Sequence, residues 1–311
     1  MASPSGTYID AAREIFQAKI IPELQQETSF TMGLIKMEKG MGLKTHITKK
    51  GKSTGYEKTQ RYQKKLPQDA VFEDRTLTYR IHAADELMDE VDLRNMIDYG
   101  VMDVTMSLAA EIGRKIDSHF VEVLGGSQAV INNGSASTTS VGATVAVDSH
   151  AFSGTSASND ICLTTSKLKE AIKEIGSAHG NVTGKQLYVL GNINQFMKLS
   201  IADEVVSSDY RGTKPLDIAG LFPGLDGYLG LRFIQYEDIP VDSNSDEVVY
   251  VFSEDAMVGQ VRKPLTVTVD PQTDTVENPN MVSAVVDLGF ARKHDELVVE
   301  IKCDPTTVVP A

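Results

Sequence analysis

The longest regular pattern of apolar residues lies in the first half of the chain and predicts one long helix. Apolar side chains recur there every three or four positions, at Ile97, Val101, Val104, Leu108, Ile112, Ile116, Phe120 and Val123. That spacing places them on one face of a helix. We predict a helix over residues 85–124, which at about 1.5 Å per residue would span roughly 60 Å. Gly125 and Gly126 follow it as a stop signal.

Two shorter stretches also have helical spacing. In residues 8–27, Thr7 is available as an N-cap and the apolar positions are Ile9, Ala12, Phe16, Ile20 and Leu24. In residues 165–179, the positions expected to face inward are Leu168, Ile172 and Ile175. We therefore predict an N-terminal helical arm and a second internal helix.

The remaining apolar residues alternate with polar ones or form short runs between turns, which predicts strands. The stretch VFEDRTLTYRIH, residues 71–82, alternates between polar and apolar residues from Thr76 to Ile81 and predicts one strand. Later strands are predicted over residues 186–191, 231–236, 248–252, 265–269, 281–288 and 297–302. Residues 132–160 are rich in Ser, Thr and Gly and are expected to be irregular. The fold class is therefore α+β, with antiparallel sheets.

The basic residues are concentrated in one segment of an acidic chain. The sequence has 30 Lys and Arg and 43 Asp and Glu residues, a net charge of −13. Residues 36–65, which we call the basic tongue, hold ten of the basic residues and two glutamates, a charge of +8. The other 20 basic and 41 acidic residues give −21. Because Ile47 is the tongue's only aliphatic β-branched residue, we expect no separate core there. The tongue is expected to leave the body and lie on an acidic surface.

No motif in the sequence indicates catalysis, a cofactor or a metal. There is no G-x-S-x-G or C-x-x-C pattern, and the six histidines lack the spacing of metal ligands. Cys162 and Cys303 lie far apart in sequence and are expected to be buried thiols. No apolar run reaches the ~18 residues of a membrane span. We therefore expect a protein that is not an enzyme, with no catalytic, cofactor-binding or metal-binding residues and no membrane partner.

The order of these elements resembles the major capsid protein of tailed bacteriophages, which has the Hong Kong 97-like fold. Residues 280–304 look like that family's closing strand, turn and strand. The resemblance implies an α+β Hong Kong 97-like capsid fold with a spine helix at 85–124. Its expected parts are an N-terminal arm (1–35), an extended loop (36–80), a peripheral domain (81–125 and 269–294) and an axial domain (126–268 and 295–311).

The resemblance also implies a structural function. Copies of the chain, arranged as hexamers and pentamers, would self-assemble into an icosahedral shell around packaged double-stranded DNA, without sequence-specific binding. A separate scaffolding protein and a portal are the other expected partners, because the chain lacks the long helical N-terminal extension of some relatives. The expected location is the virion, after synthesis in the host cytoplasm, and no cofactor is expected.

The tongue is predicted to contact a neighbouring copy of the chain. Its predicted contact residues are Lys44, Lys49, Lys50, Lys52, Lys58, Arg61, Lys64 and Lys65. The predicted acidic counterparts, in the first half of the neighbour's spine helix, are Asp85, Glu86, Asp89, Glu90 and Asp92. Opposite potentials of this kind steer association and set register more than they add affinity.

Alternative interpretations remain at this point. An encapsulin-type compartment uses the same fold to enclose a cargo enzyme. A nucleic-acid-binding protein would use residues 36–65 as an electrostatic arm, although Tyr56 and Tyr62 alone make a poor base-stacking platform. Covalent crosslinks from a tongue lysine to Asn278 or Asn280, assisted by Glu277, are a less favoured alternative to noncovalent packing.

Overall fold

The computed structural model describes residues 29–51, 55, 57–59, 61, 64, 72–88, 101–132, 135–149, 161–179, 185–201, 228–271 and 280–306. The chain divides into two compact units. Unit one is Met1–Leu43, Thr78–Phe120 and Gly259–Gly289, and unit two is Lys44–Leu77, Val121–Val258 and Phe290–Ala311. The arm, loop, peripheral and axial domains expected from the resemblance stay a prediction. The predicted helix over residues 8–27 lies outside the described residues.

The described helices are α1 (Thr31–Leu34), α2 (Val101–Gly125), α3 (Thr165–His179) and α4 (Ile193–Ile201). The first strands are β1 (Met37–Lys39), β2 (Lys44–Lys50), β3 (Phe72–Thr78), β4 (Arg80–Met88), β5 (Gln128–Asn132), β6 (Ser135–Thr139) and β7 (Ala143–Val145). The later strands are β8 (Leu187–Gly191), β9 (Leu231–Gln235), β10 (Glu247–Ser253), β11 (Met257–Pro271), β12 (Asn280–Arg292) and β13 (Val298–Cys303). Short 3-10 turns cover Tyr228–Gly230, Glu254–Ala256 and Asp295–Leu297.

Unit one contains a four-stranded sheet with the order β1-β11-β12-β4. Nine residues of β4 pair antiparallel with β12, from Arg80 opposite Leu288 to Met88 opposite Asn280. Most of α2 also belongs to this unit, and its apolar face is buried, including Val104, Ile112 and Phe120. The periodic apolar pattern therefore marks a real buried helix face.

The long helix differs from the prediction at its start. We expected it to begin at Asp85, but the described helix begins at Val101 and residues 80–88 form β4. Residues 89–100 lie outside the described residues. Residues 85–88 are too few to favour a helix over a strand by themselves, and continuous pairing with β12 selects the strand. The described helix is 25 residues long, about 37 Å.

The strand predicted over residues 71–82 is divided between two sheets. It breaks at Tyr79, so that β3 joins the sheet β2-β3-β5-β6 and β4 joins the sheet of unit one. The Tyr79 hydroxyl donates a hydrogen bond to Gln260 at 2.7 Å, and its ring lies under Arg262. These contacts hold Tyr79 at the break between the two strands. The alternation of buried and exposed side chains changes there, because Leu77 is buried but Ile81, four residues later, is exposed.

Unit two contains the sheet β2-β3-β5-β6 and a five-stranded sheet with the order β7-β13-β10-β8-β9. The helix α3 has the predicted bounds, and Leu168 and Ile175 are buried. The expectation of purely antiparallel sheets is wrong, since β8 pairs parallel with β9 and β13 parallel with β7. The Ser/Thr-rich region is also more regular than expected, because β6 and β7 lie within it.

A buried ammonium joins three segments of unit two. Lys167 is fully buried, and its Nζ donates to the carbonyl oxygens of Val147 (2.9 Å), Ile161 (2.7 Å) and Lys302 (2.8 Å). Burial lowers the pKa of Lys167. Both cysteines are buried thiols, as predicted, and burial raises the pKa of Cys303 to about 12. The thiolate that thiol chemistry requires is therefore scarce at neutral pH.

Two buried arginines, one on β3 and one at the end of β12, share a carboxylate. Arg75 of β3 donates to both carboxylate oxygens of Asp295 at 2.8 and 2.7 Å, and to Glu73 at 2.8 and 2.6 Å. Arg292, at the end of β12, donates to the same Asp295 and to the main-chain carbonyls of residues 124, 126 and 139. We call Glu73, Arg75, Arg292 and Asp295 the arginine cluster. Its formal charge is zero, which makes the burial possible.

Replacing Asp295 by Ala should destabilise the subunit by about 3–5 kcal/mol, because two buried guanidinium groups lose their shared carboxylate. Burial alone would raise the pKa of Asp295, but hydrogen bonds from Arg75 and Arg292 outweigh it and lower the pKa. The stabilisation is therefore complete above the ordinary aspartate pKa of about 3.9 and is lost as the pH falls below it. Urea unfolding of the purified chain at pH 7 and at lower pH measures both effects.

The exposed Asp238 provides the matched control for this prediction. An Asp238→Ala variant should unfold within about 0.5 kcal/mol of the parent. Equal losses of unfolding free energy in the Asp295→Ala and Asp238→Ala variants would show that the arginine cluster has no special role in stability.

Candidate functional site

The described part of the basic tongue includes β2, whose side chains alternate in exposure. The exposed side chains are Lys44, His46, Thr48 and Lys50, and the half-buried ones are Thr45, Ile47 and Lys49. Successive side chains of a strand point to opposite faces. One face of β2 therefore presents two lysines and a histidine to solvent. We call Lys44, His46 and Lys50 the cationic row.

Lys49 points the other way and pairs within its own chain. Its Nζ lies 3.2 and 3.3 Å from the two carboxylate oxygens of Glu296, in the turn before β13. Burial alone would raise the pKa of Glu296. A main-chain hydrogen bond and the charge of Lys49 outweigh the effect of burial, so the pKa of Glu296 is lowered. The charge of Lys49 is therefore directed at the body of unit two.

The rest of the tongue is described at individual positions. Lys58, Arg61 and Lys64 are exposed and lie outside helices and strands. Lys52 and Lys65, also predicted contact residues, lie outside the described residues. The exposed cations of the described tongue thus extend beyond the cationic row.

Two of the predicted acidic contact residues lie on a strand, which corrects their assignment to the spine helix. Asp85 is exposed and pairs in register with Ser283, and Glu86 is half-buried and pairs with Val282. Asp89, Glu90 and Asp92 lie outside the described residues.

Asp85 lies in a row of exposed side chains along β4. Ile81 is 64% exposed and Leu87 is 63% exposed, and Ala83 lies between them on the same face. β4 stands last in the order of its sheet, next to β12. We call Ile81, Ala83, Asp85 and Leu87 the β4 row. It combines apolar area with a carboxylate, which is the composition of many protein contact surfaces.

Segments before and after β2 are tied to ordered structure, each within its own unit. In unit one, Arg262 donates to the carbonyl of Gly42 at 3.1 Å and forms an ion pair with Asp287. Gly42 has a φ of 76°, a conformation that glycine adopts without strain. In unit two, Arg75 holds β3, the strand that follows the tongue, through the arginine cluster. The chain thus has fixed contacts at Gly42 and, beyond the tongue, at β3.

Sequence reasoning missed the partners that hold the tongue. Glu296 is 247 residues from Lys49 in sequence, and Asp295 is 220 residues from Arg75, so no local pattern connects them. One signal was present, since Arg75 has the same phase as the buried Leu77 in an alternating strand. An arginine in a buried phase indicates an acidic partner elsewhere in the chain.

Among the described residues, no group of three or more His, Cys, Asp and Glu side chains is arranged to hold a metal ion. Within the same residues, every helix is too short or too polar to cross a membrane. The features that stand out chemically are therefore charged surfaces on β2 and β4.

A family model described as "Phage capsid protein" matches residues 9–305 of this chain. No sequence among the curated proteins matches this chain. The match to the family model covers nearly the entire chain, including the tongue, β4 and the arginine cluster.

Solved structures of bacteriophage capsids share the fold at low sequence identity. A Mycobacterium phage Che8 chain is 16% identical, with a TM-score of 0.63, covering 91% of this chain and 97% of the other. A chain from the head of Helicobacter pylori bacteriophage KHP40 is 10% identical, with a TM-score of 0.66 and coverages of 92% and 94%. A chain of the cyanophage Pam1 capsid is 12% identical, with a TM-score of 0.64 and coverages of 92% and 94%. The α+β, Hong Kong 97-like fold is thus confirmed.

Removing the Lys49–Glu296 pair should have little effect on subunit stability, because Glu296 is half exposed and exposed pairs contribute about 0–1 kcal/mol. We expect a coupling free energy in that range from a double-mutant cycle with Lys49→Ala, Glu296→Ala and the double variant. Urea unfolding at low and high salt measures it, and salt should reduce it. A coupling above about 2 kcal/mol at high salt would show that the pair is a principal anchor of the tongue.

Proposed function

Because this chain belongs to the phage capsid protein family and is a structural major capsid protein, we propose that its basic tongue is an electrostatic strap between neighbouring copies in the shell. Copies of the chain assemble into the capsid of the virion. The strap would lie on an acidic surface of the adjacent subunit. The observation that carries the proposal is the cationic row on the exposed face of β2.

The charge distribution of the chain supports a partner that is another copy. The tongue carries +8 and the remainder of the same chain −21. In a shell, every tongue therefore finds an acidic surface on its neighbours. Potentials of opposite sign raise association rates and disfavour wrong registers, because like charges repel.

The anchoring of the tongue supports a positioned strap. Arg75 holds β3 through the arginine cluster, and β2 lies next to β3 in the same sheet, so Lys44 and Lys50 are presented on an ordered strand. A contact surface that is already ordered loses less conformational entropy when it binds. Intrachain pairing of Lys49 leaves the cationic row as the part of β2 directed at a partner.

The acidic surface that we propose as the target includes the β4 row. Asp85 is exposed there and would receive a lysine, while Ile81 and Leu87 would pack on the aliphatic stems of lysine side chains. Glu86 and the acids at 89, 90 and 92 would extend the negative potential. We thus propose that the cationic row of one copy contacts the β4 row of a neighbouring copy.

The other partners follow from the capsid function. We propose that the copies form hexamers and pentamers, that a separate scaffolding protein and a portal take part in assembly, and that the shell encloses double-stranded DNA without reading its sequence. The net charge of −13 fits a container that does not grip phosphate strongly. We also propose synthesis in the host cytoplasm and no catalytic activity.

Reversing the cationic row should slow assembly without unfolding the subunit. We expect a Lys44→Glu/Lys50→Glu variant to assemble at least about tenfold more slowly, because steering between opposite charges is lost. Light scattering gives the rate and negative-stain electron microscopy identifies the shells. Circular dichroism and urea unfolding of the unassembled chain should match the parent.

A variant with the same charge change at other positions distinguishes an effect of the cationic row on assembly from an effect of net charge. Lys263 and Lys293 are exposed on β11 and after β12, and a Lys263→Glu/Lys293→Glu variant should assemble at nearly the parent rate. Adding Asp85→Lys to the reversed cationic row should restore part of the rate. If the row can be reversed with no change in assembly, the strap proposal is wrong. Strong, salt-sensitive DNA binding by the parent, lost on reversal, would instead favour the nucleic-acid interpretation.

A further inference from the structure

Two histidine rings meet between β4 and α2 in unit one. His82 Nε2 lies 3.2 Å from His119 Nδ1, and the ring centroids are 5.2 Å apart. His119 is 4% exposed and His82 is half-buried. The contact therefore joins a strand of the sheet to the long helix where water has little access.

The number of protons on the two rings determines whether they attract. With both rings neutral, one nitrogen donates its N–H and the other accepts it through a lone pair. One additional proton still leaves a donor and an acceptor at the contact. With two additional protons, both nitrogens carry hydrogen, the acceptor is lost and two positive charges face each other at close range.

The surrounding charges oppose protonation. Burial lowers the pKa of His82, and Arg80 on β4 and Lys115 on α2 lower it further. Asp287 on β12 acts in the opposite direction, and Arg262 pairs with one of its two carboxylate oxygens. On α2, the carboxylate of Asp117 accepts hydrogen bonds from Ser29 and Thr31. Burial and two cations together outweigh Asp287, so the pKa of His82 is lowered.

We propose that His82 and His119 form an acid-sensitive latch that holds β4 on α2 and releases the strand when both rings are protonated. The latch lies within one subunit and does not depend on the strap between copies. Its release would alter the β4 row, because that row lies on the opposite face of the same strand.

The direction of the pH effect follows from linkage. A histidine whose pKa is lowered by folding binds fewer protons in the latched state than in the open state. The latch is therefore at full strength above the ordinary histidine pKa of about 6.5 and weakens as the pH falls below it. Each linked proton changes the opening equilibrium by at most about tenfold per pH unit.

Hydrogen–deuterium exchange of β4 tests the latch in assembled shells of the full chain, in EDTA, between pH 7.0 and 5.5. After correction for the pH dependence of chemical exchange, we expect the opening of residues 80–88 to rise at least about fivefold in the parent. In a His82→Gln/His119→Asn variant the rise should stay below about twofold. The Gln Nε2 atom can donate to the Asn Oδ1 atom, so the two amides keep one donor and one acceptor at the contact without titrating.

His179 supplies the matched control, since it is the last residue of α3 in unit two and belongs neither to the histidine contact nor to the cationic row. His179→Gln should retain the parent's response. If the double variant yields no shells, the single variant His82→Gln replaces it, because two protonated rings can then no longer face each other. In that variant the rise in β4 opening between pH 7.0 and 5.5 should be less than half of the parent's rise. A parent whose β4 opening does not change with pH overturns the proposal, as does a double variant that responds like the parent.

Discussion

The structure depends on neutralising two arginines that are buried and cannot lose their charge. Arg75 and Arg292 share the carboxylate of Asp295, and Glu73 supplies the second negative charge. A buried guanidinium without a partner costs several kcal/mol. The strand β3, the end of β12 and the turn after it must therefore come together in one arrangement. The position of β3, the strand that follows the tongue, results from that requirement.

Much of the fold was predictable because periodic burial is local. The bounds of α3 match the prediction, and those of β8, β10 and β13 differ by one residue at most at each end, since their apolar side chains are buried within unit two. The start of the long helix was not predictable in the same way. Residues 85–88 suit either a helix or a strand, and the choice is made by β12, about 200 residues later in the chain. Tyr79 divides a strand for the same reason, since its partners Gln260 and Arg262 are distant in sequence.

The candidate site was partly predictable because charge is visible in composition. Ten cations in residues 36–65 identified the tongue, but composition does not show which way each side chain points. Strand alternation separates Lys44 and Lys50 from Lys49, and Glu296 then gives Lys49 a partner in its own chain. The contact between His82 and His119 could not be predicted from the sequence, because it depends on how β4 packs on α2.

Much of the bonding in unit two goes from a side chain to main-chain carbonyls. Arg292 binds the carbonyls of residues 124, 126 and 139, and Lys167 binds those of residues 147, 161 and 302. Every amino acid supplies a carbonyl, so a substitution at any of the six accepting residues leaves the acceptor atom itself in place. These bonds therefore depend on the path of the main chain and not on the accepting side chains. Capsid proteins keep the fold of this chain at 10–16% identity.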